Sequence, residues 1–118
     1  MRILHLLDGL EFNERRPHAV PLSSGTAPRA VCFTLRSGQS LRAHDALGSL
    51  VYLFVLRGEG VFGSGTITRR VCASALVIVE PGETYSVRAV GDLVFVAVRD
   101  REETTTTATE SELAGAHA

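Results

Sequence analysis

From residue 30 onward the hydrophobic positions fall into short runs of two kinds, and both predict β-strands. Residues 30–36 alternate, with Val31, Phe33 and Leu35 set against Cys32, Thr34 and Arg36, the period-two pattern of a strand whose two faces meet different surroundings. Residues 50–56 are an almost unbroken apolar run, which predicts a strand buried on both faces. Residues 75–79 predict a second buried run, and 66–71 a return strand with Thr66, Thr68 and Arg70 on an exposed face. Residues 85–90 and 93–98 complete the series. The junctions are Ser37-Gly38, Gly58 and Gly60, Gly63-Ser64-Gly65, Pro81-Gly82 and Gly91-Asp92, residue types that supply the backbone angles strands avoid. Strands this short, with a turn at roughly every ten residues and no βαβ rhythm, predict an all-β sandwich or barrel.

The two ends depart from this pattern. Ile3, Leu4, Leu6, Leu7 and Leu10 fit a short helix or an edge strand, and periodicity does not decide between them. Pro17, Pro21 and Pro28, with Ser23-Ser24-Gly25, mark an irregular stretch that wraps over something else. Residues 1–29 therefore read as an N-terminal segment packing on the barrel or on a partner subunit, and 30–99 as the barrel core. The tail, 100–118, has a charged start, a threonine run at 104–107 and a helix-permissive end; its composition is that of a disordered segment. Open barrels leave edge strands, and the apolar N-terminal segment together with the threonine run offers pairing across a two-fold axis. That predicts a homodimer.

Composition narrows the class. A chain of 118 residues has room for one domain. A net charge of −1 gives no clustered basic excess for nucleic acid, and Arg15-Arg16 and Arg69-Arg70 read as solvated surface pairs. No stretch approaches the ~20 apolar residues that span a bilayer. The opening residues break at Asp8-Gly9 without a small-residue cleavage site, which makes a poor signal peptide. Cys32 and Cys72 stand alone, without CxxC spacing, which predicts two buried reduced thiols in a cytoplasmic protein.

The region from about Ala30 to Val98 resembles the cupin superfamily, small β-barrels of the jelly-roll or double-stranded β-helix type. Gly38 is followed by Gln39-Ser40-Leu41-Arg42-Ala43 and then His44, the spacing of the first cupin motif up to its first histidine. Ala46 stands where that motif has a second histidine, and Val51 where it has a glutamate. The second motif maps to residues 74–89, with Pro81 shifted by one, Gly82 matching and Tyr85 in place of a histidine. The run His44-Asp45-Ala46-Leu47-Gly48 is similar to a subset of small single-domain cupins whose first motif reads His-x-Ala-x-Gly. The resemblance implies a barrel and a pocket without naming a reaction.

It also implies, in the family at large, a metal held by three imidazoles and a carboxylate. Here alanine and valine carry no donor atom, and a phenol is a poor ligand at neutral pH. A divalent ion needs several donors, so neither metal nor other cofactor is expected unless His18 folds back or a partner subunit completes the set. Alternation puts Arg42, His44 and Ala46 on one face of their strand, and Val51, Leu53 and Val55 on one face of the next. If both faces point inward, the barrel holds an apolar pocket whose polar groups are His44, Tyr85 and Arg42. The expected ligand site is then Arg42, His44, Val51, Leu53 and Tyr85, binding a small acid or aromatic molecule with Arg42 or His44 at its negative end. The competing reading is a filled core, since exchanging histidine and glutamate for alanine and valine converts a polar site into packing. Catalysis by His44 and Tyr85 as an acid–base pair, in a metal-free isomerase or lyase, is the alternative function. Metal-free sugar-nucleotide epimerases of the cupin class use such a pair. A metal-dependent, dioxygenase-like cupin is the third.

Overall fold

The alternating and apolar runs become the strands of two facing sheets. A computed structural model describes residues 1–23, 29–45, 49–100 and 106–108, with the backbone alone for 43–45 and 106–108. In chain order the strands are β1 (His18–Pro21), β2 (Arg29–Leu35), β3 (Ser40–Asp45), β4 (Val51–Arg57), β5 (Glu59–Ser64), β6 (Ile67–Cys72), β7 (Leu76–Val79), β8 (Thr84–Ala89), β9 (Leu93–Arg99) and β10 (Thr106–Ala108). They form one five-stranded sheet in the order β1-β2-β9-β4-β7 and a second in the order β10-β3-β8-β5-β6. All pairings are antiparallel. Among the described residues there is no helix, and so none long and apolar enough to cross a membrane.

The turn at Ser37-Gly38 shows why glycine is required there. Gly38 sits at φ 87°, a left-handed angle that side chains disfavour, and its N–H donates to the Ala89 carbonyl at 2.9 Å. That bond ties the β2–β3 turn to the end of β8. Between the sheets, the inward positions close into one core of Leu35, Leu41, Val51, Leu53, Val55, Val87, Leu93 and Phe95, each almost wholly removed from water. Three rings meet between the layers, two from the first sheet and one from the second. Phe33 of β2 stacks on Phe95 of β9 at 5.1 Å between centroids, and Phe62 of β5 meets Phe95 edge-on at 5.8 Å. Both are favoured arrangements for aromatic pairs.

The outer face of the first sheet corrects two expectations. β4 is buried on one face only: Val51, Leu53 and Val55 point inward, while Tyr52 and Phe54 remain 36% and 44% exposed. β7 likewise buries Val79 but leaves Leu76 and Ile78 about half exposed. In register, Tyr52 pairs with Ile78 and Phe54 with Leu76, so four apolar side chains share an uncovered patch. An antiparallel sheet tolerates one solvated face, and apolar content alone did not reveal which face that was.

Across β2 and β9 the same outer face is covered. Leu6, Leu10 and Phe12 pack against buried Cys32, Val94 and Val96. Residues 1–17 are neither helix nor strand, and are fastened instead by side chains. The Thr34 hydroxyl donates to the Glu11 carbonyl at 2.6 Å, and the Gln39 amide donates to the Asn13 carbonyl at 2.7 Å. Arg36 donates to Glu14 at 2.8 Å and to Asp92 at 2.7 Å, with its guanidinium 4.3 Å above the Phe12 ring. Part of the stretch expected to be irregular is β1, an edge strand, where Pro21 is tolerated. In the tail, Thr106–Ala108 pairs with β3 of the same chain, opposite Asp45, His44 and Ala43. Asp45 therefore lies in a strand. Ala46, Leu47, Gly48 and the remainder of the tail lie outside the described residues. The cysteines also separate: Cys32 is buried and Cys72, expected buried, is exposed, because β6 is the last strand of its sheet.

Candidate ligand-binding site

β6 and β7 each end a sheet, and between these two edges opens a cleft of about 390 Å³. Register explains its lining. Leu53 pairs with Val77 and Val51 with Val79, so β7 turns its valines toward the interior. On β6 the inward row follows from its partner β5: buried Phe62 faces Arg69, and Gly60 faces Val71. Leu53, Phe62, Val79 and Tyr85 form the floor, and Val71 and Val77 the walls. Ser64, Arg69 and Glu83 bring polar groups to the rim.

The two charged rim residues are in different states. Both carboxylate oxygens of Glu83 are engaged, one by the Glu80 N–H at 2.8 Å and the other by the Ser64 hydroxyl at 3.2 Å. The first of these bonds spans the Pro81-Gly82 turn and holds it in place. Arg69 donates from Nη1 to the carbonyl of its neighbour Thr68 at 3.0 Å. Its sequence neighbour Arg70, on the opposite pleat, is paired with Glu59.

The sequence-predicted site divides by strand parity. Leu53 and Tyr85 meet in the cleft. Val51 belongs to the closed core, 1% exposed, beyond the cleft lining. Arg42 is exposed, a correction to its expected place in the pocket. Leu41 is the β3 residue that points inward, opposite Val87, and alternation then sends Arg42, opposite Ser86, to the outer face. His44 pairs with exposed Thr84 and so occupies a register position in Arg42's row, whereas Tyr85 pairs with Ala43. The interior is packed around Phe95 and open at the β6–β7 edge, where the cleft shares only Leu53 and Tyr85 with the expected site.

Arg69 and Glu83 were missed by sequence reasoning. The signal for Arg69 was present: if Thr66, Thr68 and Arg70 take the exposed face of the return strand, Arg69 takes the other. Glu83 carried no comparable mark.

A cupin metal does not fit this donor set. The residues lining the cleft include one carboxylate, already doubly bonded, and no imidazole or thiol. Among the described residues no three histidine, cysteine, aspartate or glutamate side chains converge, short of what a divalent ion requires.

Solved structures share this architecture. An RmlC-like cupin protein from Desulfovibrio desulfuricans matches with a TM-score of 0.78 and 24% identity, over 85% of this chain and 96% of that one. A conserved protein with a double-stranded β-helix domain from Klebsiella pneumoniae matches with a TM-score of 0.81 and 18% identity, over 93% and 98%. A predicted oxalate decarboxylase from Thermotoga maritima gives 0.67 and 26%, over 72% and 80%. No family model and no curated protein matches the sequence. The chain has the double-stranded β-helix fold of the cupin superfamily. At these identities the likeness is one of fold, and it leaves the ligand to be argued from this chain's own residues.

Proposed function

We propose that this protein binds a small, largely apolar molecule in the cleft between β6 and β7, without a metal. The observation that carries this reading is the cleft itself. Its volume of about 390 Å³ falls in the range of ~300–1,000 Å³ typical of small-molecule sites, and such sites combine apolar walls with a few placed polar groups. The floor of Leu53, Phe62, Val79 and Tyr85 with a rim of Ser64, Arg69 and Glu83 has that composition. The isomerase or lyase alternative has less support, because His44 and Tyr85 are not register partners: His44 stands opposite Thr84 and Tyr85 opposite Ala43.

The test is a titration of labelled protein with small apolar fragments, read at the amides of Leu53, Val79 and Tyr85. Saturable shifts are expected there. Val77→Trp, which places an indole in the cleft from an edge strand, is expected to abolish them while leaving the unfolding midpoint little changed. Shifts confined to other residues, or surviving in that variant, overturn the reading. So does stoichiometric iron, manganese, nickel or zinc in the purified protein.

A further inference from the structure

Resting on the reading of the β6–β7 cleft as a ligand site, we infer that its ligand is an apolar monocarboxylic acid whose carboxylate is met by the Arg69 guanidinium. Arg69 lies in the inward row of β6, opposite buried Phe62, and lines the cleft. Arg36 is paired with Glu14 and Asp92 and Arg70 with Glu59, and none of these pairs engages Arg69. Its neighbouring carbonyl, that of Thr68, takes one of its five N–H donors. The remaining donors form a planar fork whose geometry matches a carboxylate bidentately.

The rest of the lining sets the kind of acid. Glu83 is the other charged group there, and its oxygens are occupied by the Glu80 N–H and the Ser64 hydroxyl. It offers little to a ligand ammonium, and its charge opposes a second negative group beside Arg69. One available cation next to one anion suits a monoanion and disfavours a phosphate ester or a dicarboxylate. Behind the rim, Leu53, Phe62, Val71, Val77 and Val79 present hydrocarbon, so the body of the acid is a short branched or aromatic group. An exposed guanidinium standing at the mouth of an apolar cleft is the juxtaposition that selects this class.

The test compares acids with neutral amides of the same shape on the full chain at pH 7: benzoate with benzamide, and 3-methylbutanoate with 3-methylbutanamide. Binding is read at the amides of Leu53, Val79 and Tyr85. Each acid is expected to bind roughly tenfold or more tightly than its amide, the gain of a charge-assisted fork. Arg69→Gln is expected to erase the preference by weakening acid binding far more than amide binding, and Arg69→Lys, which keeps the charge but loses the fork, to retain part of it. Arg69 is exposed, so both variants should melt as the parent does. Equal binding of acid and amide, or a preference that survives Arg69→Gln, overturns the inference and leaves the cleft a site for neutral molecules. Absence of any binding sensitive to Val77→Trp overturns both readings together.

Discussion

The middle of the sandwich and its β6–β7 edge are built from the same inward alternation, yet one is closed and the other open. In the middle, β9 and β8 each have a neighbour on both sides, and the rings of Phe33, Phe62 and Phe95 reach across the gap between the layers. At the edge, β6 and β7 have one neighbour each, and their inward residues are valines, an isoleucine and an arginine. Valine is too short to bridge facing sheets, which stack ~10 Å apart. Alternation therefore sets which way a side chain points, while ring size and strand position decide whether the space is filled.

The largest test of this contrast is Phe95→Ala against Val77→Ala. Phe95 is fully buried between two other rings, and its truncation is expected to cost about 3–5 kcal/mol. Val77 borders open space and should cost about 1 kcal/mol or less. Chemical denaturation of the two variants measures both. Equal costs would mean that the edge is packed as tightly as the centre.

A pair of glycines sharpens the same comparison at the level of the backbone. Gly58 and Gly82 both sit at φ 88°, so an alanine at either carries the left-handed penalty of about 1–2 kcal/mol. Only their surroundings differ. A Cβ on Gly58 would lie 2.0 Å from the Asp92 carbonyl oxygen, whereas one on Gly82 meets nothing within 4 Å. Gly58→Ala must also move backbone at the β4–β5 corner, which brings the expected cost to about 2–4 kcal/mol. Gly82→Ala should stay near the conformational penalty alone. Similar unfolding midpoints for the two would show that the corner yields more readily than its contacts imply.

The architecture was legible because period-two patterning and turn residues report directly on a two-layer fold: most strands between Arg29 and Arg99 and the cupin resemblance followed from them, whereas β5 runs through Gly60 and Gly63-Ser64, which had read as junctions. Two of the five expected ligand residues, Leu53 and Tyr85, meet in the cleft. What was not legible depended on parity and coverage. A strand reads identically from either face until its register is known, and β3 is turned so that Leu41 rather than Arg42 points inward. The exposed faces of β4 and β7 carry Tyr52, Phe54, Leu76 and Ile78, apolar residues that composition assigns to a core. The means by which residues 1–17 are fastened was hidden, because the bonds of Thr34, Gln39 and Arg36 leave no periodic trace.

The two thiols give the finest test, since they report coverage without perturbing the fold. Cys72 is exposed on edge strand β6 and should react at once with a thiol reagent. Cys32 lies beneath the N-terminal segment, against Val94 and Val96, and should react only as that segment lifts. Burial pushes its thiol above the ordinary range, because a thiolate is poorly solvated there. The folded state thus holds this proton more tightly than the unfolded chain. Its contribution to stability is complete below the ordinary thiol range and is lost as pH rises through the raised value. Arg36→Ala removes the links from Arg36 to Glu14, Asp92 and Phe12 at one stroke. It is expected to speed Cys32 labelling and leave Cys72 unchanged. If Cys32 labels as slowly in that variant as in the parent, the apolar contacts of Leu6, Leu10 and Phe12 hold the cover unaided, and the arginine is only a surface ornament of the closed side.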